Sequence, residues 1–127
     1  MGAGIMLLKG KKVLILKRKN YKDDKHSDKW DFPGGSSDKG ESRLETAIRE
    51  CLEETRITKE EYAIFDHVEF KYYTLFIASV DTELVPILSS EHSSWAWVDI
   101  EKIKSLESKI HPKDFKPFLV FYKYITS

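Results

Sequence analysis

GSSDKGESRLETAIRECLEETRI, residues 35–57, is the stretch from which the rest of the chain can be read. Leu44, Ala47, Ile48, Cys51 and Leu52 recur at i, i+3, i+4, i+7 and i+8, the spacing of one buried helix face. The spacing predicts a helix over 41–55. At about 100° per residue, Glu50, Glu53 and Glu54 gather roughly 140° away from those five. Glu53 and Glu54 follow Glu50 by three and four residues, so the three carboxylates share one surface. Such like charges repel one another by a few tenths of a kcal/mol per pair. A divalent cation reverses that sign, and magnesium takes oxygen ligands while keeping waters and substrate phosphates in its shell. The plainer alternative is an acidic solvent face, since glutamate is a good helix former. Arg49 could pair with Glu45 or Glu53 in either case.

Just upstream, Trp30-Asp31-Phe32 reads as a short strand ended by Pro33-Gly34-Gly35. A proline followed by two glycines stops regular structure and lets backbone come close to another group. Before it, apolar runs at 3–8 and 13–18 flank Lys9-Gly10-Lys11-Lys12 and predict a β-hairpin. Residues 19–29, KNYKDDKHSDK, are polar throughout and read as a long exposed loop, a kind that is often functional. Downstream, 63–69 and 72–80 are rich in β-formers, and 95–98 is a further short strand. Asp99 looks like the N-cap of a helix over 100–107. Phe115, Phe118, Leu119, Tyr122 and Ile125 give helical spacing between 112 and the chain end. Strands, helix, strands and helices in that order predict an α/β fold with a mixed sheet between helices.

At 127 residues the chain reads as one domain, 1–127, large enough for a core without staples. The 21 basic and 21 acidic residues cancel. No global field recruits nucleic acid or an anionic membrane, so phosphate binding must come from a local site. The lone cysteine, Cys51, excludes an intrachain disulfide framework and a four-cysteine zinc site, and it points to a reducing compartment. No apolar run approaches the roughly 18 residues of a membrane span. Residues 5–8 are too short a run for a signal-peptide core. The expectation is a soluble cytoplasmic protein with a small-molecule partner.

The whole stretch closely resembles the Nudix box, G-x5-E-x7-R-E-U-x-E-E-x-G-U with U apolar. Gly35, Glu41, Arg49, Glu50, Cys51, Glu53, Glu54 and Ile57 fill its positions. Residues 30–34 also look like the family's entry into the box. One position departs: Arg56 stands where the family has a glycine that closes the helix in a left-handed conformation. A non-glycine residue there costs on the order of 1 kcal/mol. Sequence specificity lies in residues 30–57; the rest matches in pattern only.

The resemblance implies a Nudix-type α/β/α sandwich. It implies hydrolysis of a pyrophosphate bond in a nucleoside diphosphate linked to another group, with Mg2+ or Mn2+ as cofactor. It implies that Glu50, Glu54 and the Gly35 carbonyl hold metal, with Glu53 a shared ligand or the general base. Arg49 would orient a carboxylate through a bidentate pair, and Glu41 would join the metal sphere through water. Glu91, in a Ser-rich loop that substrate would have to order first, is the base candidate from outside the box; the alternative is a surface glutamate. His92 and His26 read as exposed loop residues. Arg18 either meets substrate phosphates or keeps a sheet edge soluble. Trp30, Tyr72 and Tyr73 either stack on a base or belong to the core. Tyr73 falls where a tyrosine weakly marks dinucleoside-polyphosphate hydrolases of the family. A nucleoside triphosphate is the first expected substrate, with a dinucleoside polyphosphate second and ADP-ribose or RNA ends behind. A Nudix-fold module that binds nucleotides without cleaving them is the alternative of another class. Such modules commonly lose box carboxylates, and this chain retains them.

Overall fold

The apolar run near the N-terminus builds two cores from one strand. The computed structural model describes residues 1–21 and 25–127; Lys22, Asp23 and Asp24, inside the expected loop 19–29, lie outside the described residues. Side chains alternate across a strand. In β1 (Gly2–Lys9), Ala3, Ile5 and Leu7 therefore face one cluster, while Met6 and Leu8 face another. A strand covered on both faces reads as a continuous apolar run, as this one does.

β2 (Lys12–Arg18) turns back on β1 through Gly10, whose φ of 60° is left-handed. This is the expected hairpin, and it holds only at its base, with Leu8 opposite Val13 and Lys9 opposite Lys12. Farther along, β2 pairs with β3 (Trp30–Asp31) and β7 (His92–Asp99), while β1 pairs with β4 (Gly34–Ser36). β6 (Tyr73–Ser79) runs parallel to β1, and β5 (Ala63–Glu69) runs antiparallel to β6. The mixed sheet carries α1 (Arg43–Thr55) on one face and α2 (Ile100–Lys104) with α3 (Pro112–Thr126) on the other. The α/β/α sandwich is as expected. Among the described residues, no helix is long and apolar enough to cross a membrane.

Three local expectations are corrected. α1 starts at Arg43 rather than 41 because Ser42 caps it: the Ser42 hydroxyl accepts from the Glu45 N–H at 3.1 Å, and the Glu45 carboxylate accepts from the Ser42 N–H at 2.9 Å. Its buried face is turned from the apolar stripe. Ala47 and Cys51 are fully covered together with Thr46, Glu54 and Thr55, whereas Leu44 and Leu52 stay 42% and 40% exposed. The small side chains Ala47 and Cys51 meet Ala3 and Ile5, so the helix rides close to β1. Finally, Gly34 and Gly35 do not interrupt the sheet. They pair antiparallel with Gly4 and Ala3, and a Cβ on Gly34 would lie 2.6 Å from the Gly4 Cα.

The helix over 100–107 is shorter than expected, giving way after Lys104 to a 3-10 turn at Glu107–Lys109; Asp99 caps it as foreseen, accepting from the Glu101 N–H at 2.8 Å. α1 closes at Arg56, which lies at φ 63° and ψ 12° and donates its N–H to the Leu52 carbonyl at 2.9 Å. The family's glycine position is thus left-handed here too, with a Cβ attached. Arg56→Gly is expected to stabilise the chain by about 1 kcal/mol in thermal or urea melts and to leave turnover unchanged. A large loss of activity at unchanged stability would instead place Arg56 on substrate.

Candidate active site

α1 owes its position to the glycine strand. The Gly34 N–H donates to Glu54 Oε1 at 2.7 Å, and a Cβ on Gly35 would fall 2.6 Å from the Glu50 Cδ. Two carboxylates one helical turn apart therefore lie against the backbone of β4, and glycine at 35 leaves room for the second. The Gly35 backbone and the Glu50 and Glu54 side chains, three of the residues expected to hold metal, come together.

Arg49 organises the outer flank. Its Nε and Nη2 hold both oxygens of Glu41, at 2.8 and 3.0 Å. Its Nη1 reaches Glu50 at 2.8 Å and both oxygens of Glu53 at 3.2 Å, and Nη2 also donates to the Ser36 carbonyl at 3.0 Å. A bidentate guanidinium–carboxylate pair fixes geometry as well as charge. The partner in that pair is Glu41. Arg49, helped by the Asp38 N–H and the Thr46 hydroxyl, holds the Glu41 carboxyl down to about 2. Glu53 is the most exposed of the four glutamates that fill box positions, and its contacts are to Arg49.

The inner flank departs from the sequence reading. Glu54, expected to hold metal, is only 3% exposed, and His92, expected in an exposed loop, is 2% exposed. His92 Nε2 lies 2.8 Å from Asp31 Oδ1, and its Nδ1 lies 3.9 Å from Glu54 Oε2. Ligand atoms of Glu54, Glu91 and His92 all fall within 4.8 Å of one another. The loop that carries Glu91 is tied to its surroundings through its backbone. The Glu91 carbonyl accepts from the Lys19 N–H at 3.0 Å, its N–H donates to the Ser89 hydroxyl at 3.3 Å, and the Tyr21 hydroxyl holds the Ser90 carbonyl at 3.1 Å. Burial, with the Glu91 carboxylate beside it and Asp31 behind, pushes Glu54 up to about 10. Burial also raises Glu50, against the pull of Arg49.

Gly35 also lines a cleft of about 370 Å3, together with Ser36, Tyr72, Tyr73 and Lys113. Arg43, in the first turn of α1, donates to the carbonyls of Phe70 and Lys71 and so fixes the turn that presents the two tyrosines. Tyr73 forms the floor. Its hydroxyl donates to Asp114 Oδ1 at 2.9 Å, and its burial raises it well above the usual phenol range. Tyr72 stands 65% exposed at the rim. Lys113 escaped the sequence reading, as did the fully buried Asp114, which accepts from Lys113 Nζ at 2.9 Å and the Phe32 N–H at 3.1 Å. A histidine–proline helix start followed by adjacent opposite charges was the available signal. Trp30 packs on the α3-side core and Arg18 sits 3.4 Å from Asp31; neither lines this cleft.

The residues present fit a divalent ion. Oxygen donors converge from one helix and one loop, and a buried histidine nitrogen faces them with no hydrogen-bond partner among the described residues. The comparisons agree. The NUDIX domain family matches residues 1–119. An RNA pyrophosphohydrolase of Pelagibacter ubique (strain HTCC1062) is 31% identical, over 91% of this chain and 87% of that one. A dihydroneopterin triphosphate diphosphatase of Haemophilus influenzae is 29% identical, over 85% and 78%. The crystal structure of a C. elegans Ap4A hydrolase binary complex superposes with a TM-score of 0.76 at 24% identity, over 99% and 98%. This chain belongs to the Nudix family, and it is a pyrophosphohydrolase that requires a divalent metal.

Glu54 gives the metal-free chain a pH signature. It holds its proton more tightly folded than unfolded, so its contribution to stability is fully present below its ordinary value of 4.5 and is lost as pH rises through about 10. The melting temperature of the metal-free chain is expected to fall between about pH 6 and about pH 9, and Glu54→Gln, which cannot ionise, to flatten that fall. Equal slopes in the two proteins would show that Glu54 does not titrate in this window.

Proposed function

We propose that the chain, acting as one domain in the cytoplasm, cleaves the pyrophosphate bond of a nucleoside triphosphate with Mg2+ or Mn2+. One observation carries the reading: Gly35 lies against the Glu50 carboxylate and also lines the Tyr72–Tyr73–Lys113 cleft. A phosphate chain laid along Ser36 and Gly35 would reach from the cleft to the carboxylates. Glu50, Glu54 and the Gly35 carbonyl are the proposed metal ligands. A divalent ion there neutralises charge on the phosphoryl oxygens and eases deprotonation of the attacking water. Water attacks one phosphorus, a P–O bond forms as the bridging P–O bond breaks, and the water's proton passes to a carboxylate.

Glu53 is the proposed acceptor. It sits on the rigid helix, its carboxylate oriented by Arg49 at 3.2 Å and open to water. Glu91 stands beside Glu54 and His92, where a ligand would stand. Arg49 is a positioning residue for Glu41, Glu50 and Glu53. Tyr72 and Tyr73 are the proposed base platform, and Lys113 the cation beside it. Arg18 and Trp30 remain outside this arrangement and support Asp31 and the core.

The diphosphatase from Haemophilus influenzae, named for a triphosphate substrate, supports the triphosphate class. The zero net charge ranks free nucleotides ahead of long RNA. A dinucleoside polyphosphate is the second reading, favoured by Tyr73 on the cleft floor. A release assay with magnesium over nucleoside triphosphates, dinucleoside polyphosphates, ADP-ribose and triphosphorylated RNA is expected to give its fastest turnover on a triphosphate. Release from none of them would make the chain a nucleotide-binding module. At saturating magnesium, Glu53→Gln is expected to lose about 10²–10⁴-fold in kcat, the usual range for a lost general base, and Glu91→Gln roughly tenfold or less. The reverse order would move the base to the loop and leave the helix to hold metal.

A further inference from the structure

We infer that His92 is a nitrogen ligand of the divalent-metal centre, acting with the carboxylates of Glu54 and Glu91, so that the centre is a mixed nitrogen–oxygen site. The inference rests on the reading of the α1 carboxylate face as a metal centre. It concerns a residue outside the box that was expected to be a surface histidine.

The ring is fixed from behind. Asp31, 2% exposed, places Oδ1 2.8 Å from His92 Nε2. A carboxylate accepts, so Nε2 donates to Asp31 and Nδ1 is the ring nitrogen left to coordinate an ion. Asp31 is itself steadied by Arg18 Nη1 at 3.4 Å. At the same place the β2–β7 register shifts between Lys17 and Arg18, with Arg18 opposite His92; such bulges re-aim side chains. A histidine that hands one ring N–H to a carboxylate and offers the other nitrogen is the usual arrangement of a metal-bound imidazole.

The free nitrogen faces the carboxylates. His92 Nδ1 is buried, has no hydrogen-bond partner among the described residues, and points at Glu54 Oε2 across 3.9 Å. That is too long for a hydrogen bond. A buried ring nitrogen with no hydrogen-bond partner is unfavourable. One cation held between it and Glu54 removes that penalty. Donors held roughly 2.0–2.2 Å from one ion lie about 3 to 4.4 Å from each other, and the observed 3.9 Å falls in that interval. Glu91, within 4.8 Å of both, closes the third side.

The chemical consequence is ion preference. Imidazole favours manganese, cobalt or zinc over magnesium, which is an oxygen-seeking ion. The chain should therefore bind Mn2+ more tightly than Mg2+, and His92→Gln should weaken Mn2+ binding by about tenfold or more while changing Mg2+ binding less.

The test is pulsed electron paramagnetic resonance on the full chain loaded with Mn2+ alone. A 14N coupling is expected, replaced by a 15N coupling when only histidine is 15N-labelled, and absent in His92→Gln. Should His92→Gln not fold, His26→Gln, His67→Gln and His111→Gln are each expected to keep the coupling. Bound Mn2+ without a histidine coupling overturns the inference and leaves the metal centre standing. So does a coupling that survives in His92→Gln or vanishes in one of the other three. If calorimetry finds no Mn2+ binding to the unaltered chain, the metal centre itself fails and the inference with it.

Discussion

A carboxylate as deeply buried as Glu54 is costly, and the backbone N–H of Gly34 at 2.7 Å is what holds it there. That hydrogen bond sets both the depth and the rotation of α1. It draws the helix onto β4, where the absence of a side chain at Gly35 admits Glu50. It turns Ala47 and Cys51 onto β1 and leaves Leu44 and Leu52 at the margins of the interface. Apolar burial alone would have favoured the opposite rotation, with both leucines covered. The left-handed Arg56 that ends the helix belongs to the same arrangement: the chain must turn sharply there to bury Ile57 beneath the helix.

Holding several carboxylates together without metal requires compensation, and the two flanks of the site supply it differently. On the outer flank Arg49 spreads one positive charge over Glu41, Glu50 and Glu53, partly in water. On the inner flank, Glu54 accepts from the Gly34 N–H and lies beside Glu91 and His92. Its charge is relieved by a proton, which is what its rise to about 10 means. Clusters that are unfavourable until occupied are characteristic of functional sites.

The second half of the site is tied to the first through the backbone between Phe32 and Ser36. Asp114, at the start of α3, accepts from the Phe32 N–H, from Tyr73 and from Lys113. A buried carboxylate so fully bonded resists displacement, since losing one partner strands a charge. Phe32 is two residues from Gly34, whose N–H holds Glu54. One short segment thus registers α3, the cleft floor and the carboxylates against each other.

The sequence by itself determined the sheet-and-helix order, the family, and the helix that bears Glu50, Glu53 and Glu54, because periodicity and fixed spacing are local properties. Arg56 could be predicted left-handed for the same reason: a helix end is decided by its neighbours. Only the tertiary structure decided which carboxylates are buried. Helical spacing locates a residue on a face but cannot say how that face docks, so Glu54 read as sharing one surface with Glu50 and Glu53 while Leu44 and Leu52 read as core. Nor could spacing bring His92 and Glu91 to Glu54, or Lys113 and Asp114 to Tyr73. Those meetings join residues about 40 positions apart, through strand pairing and helix docking that leave no short-range trace.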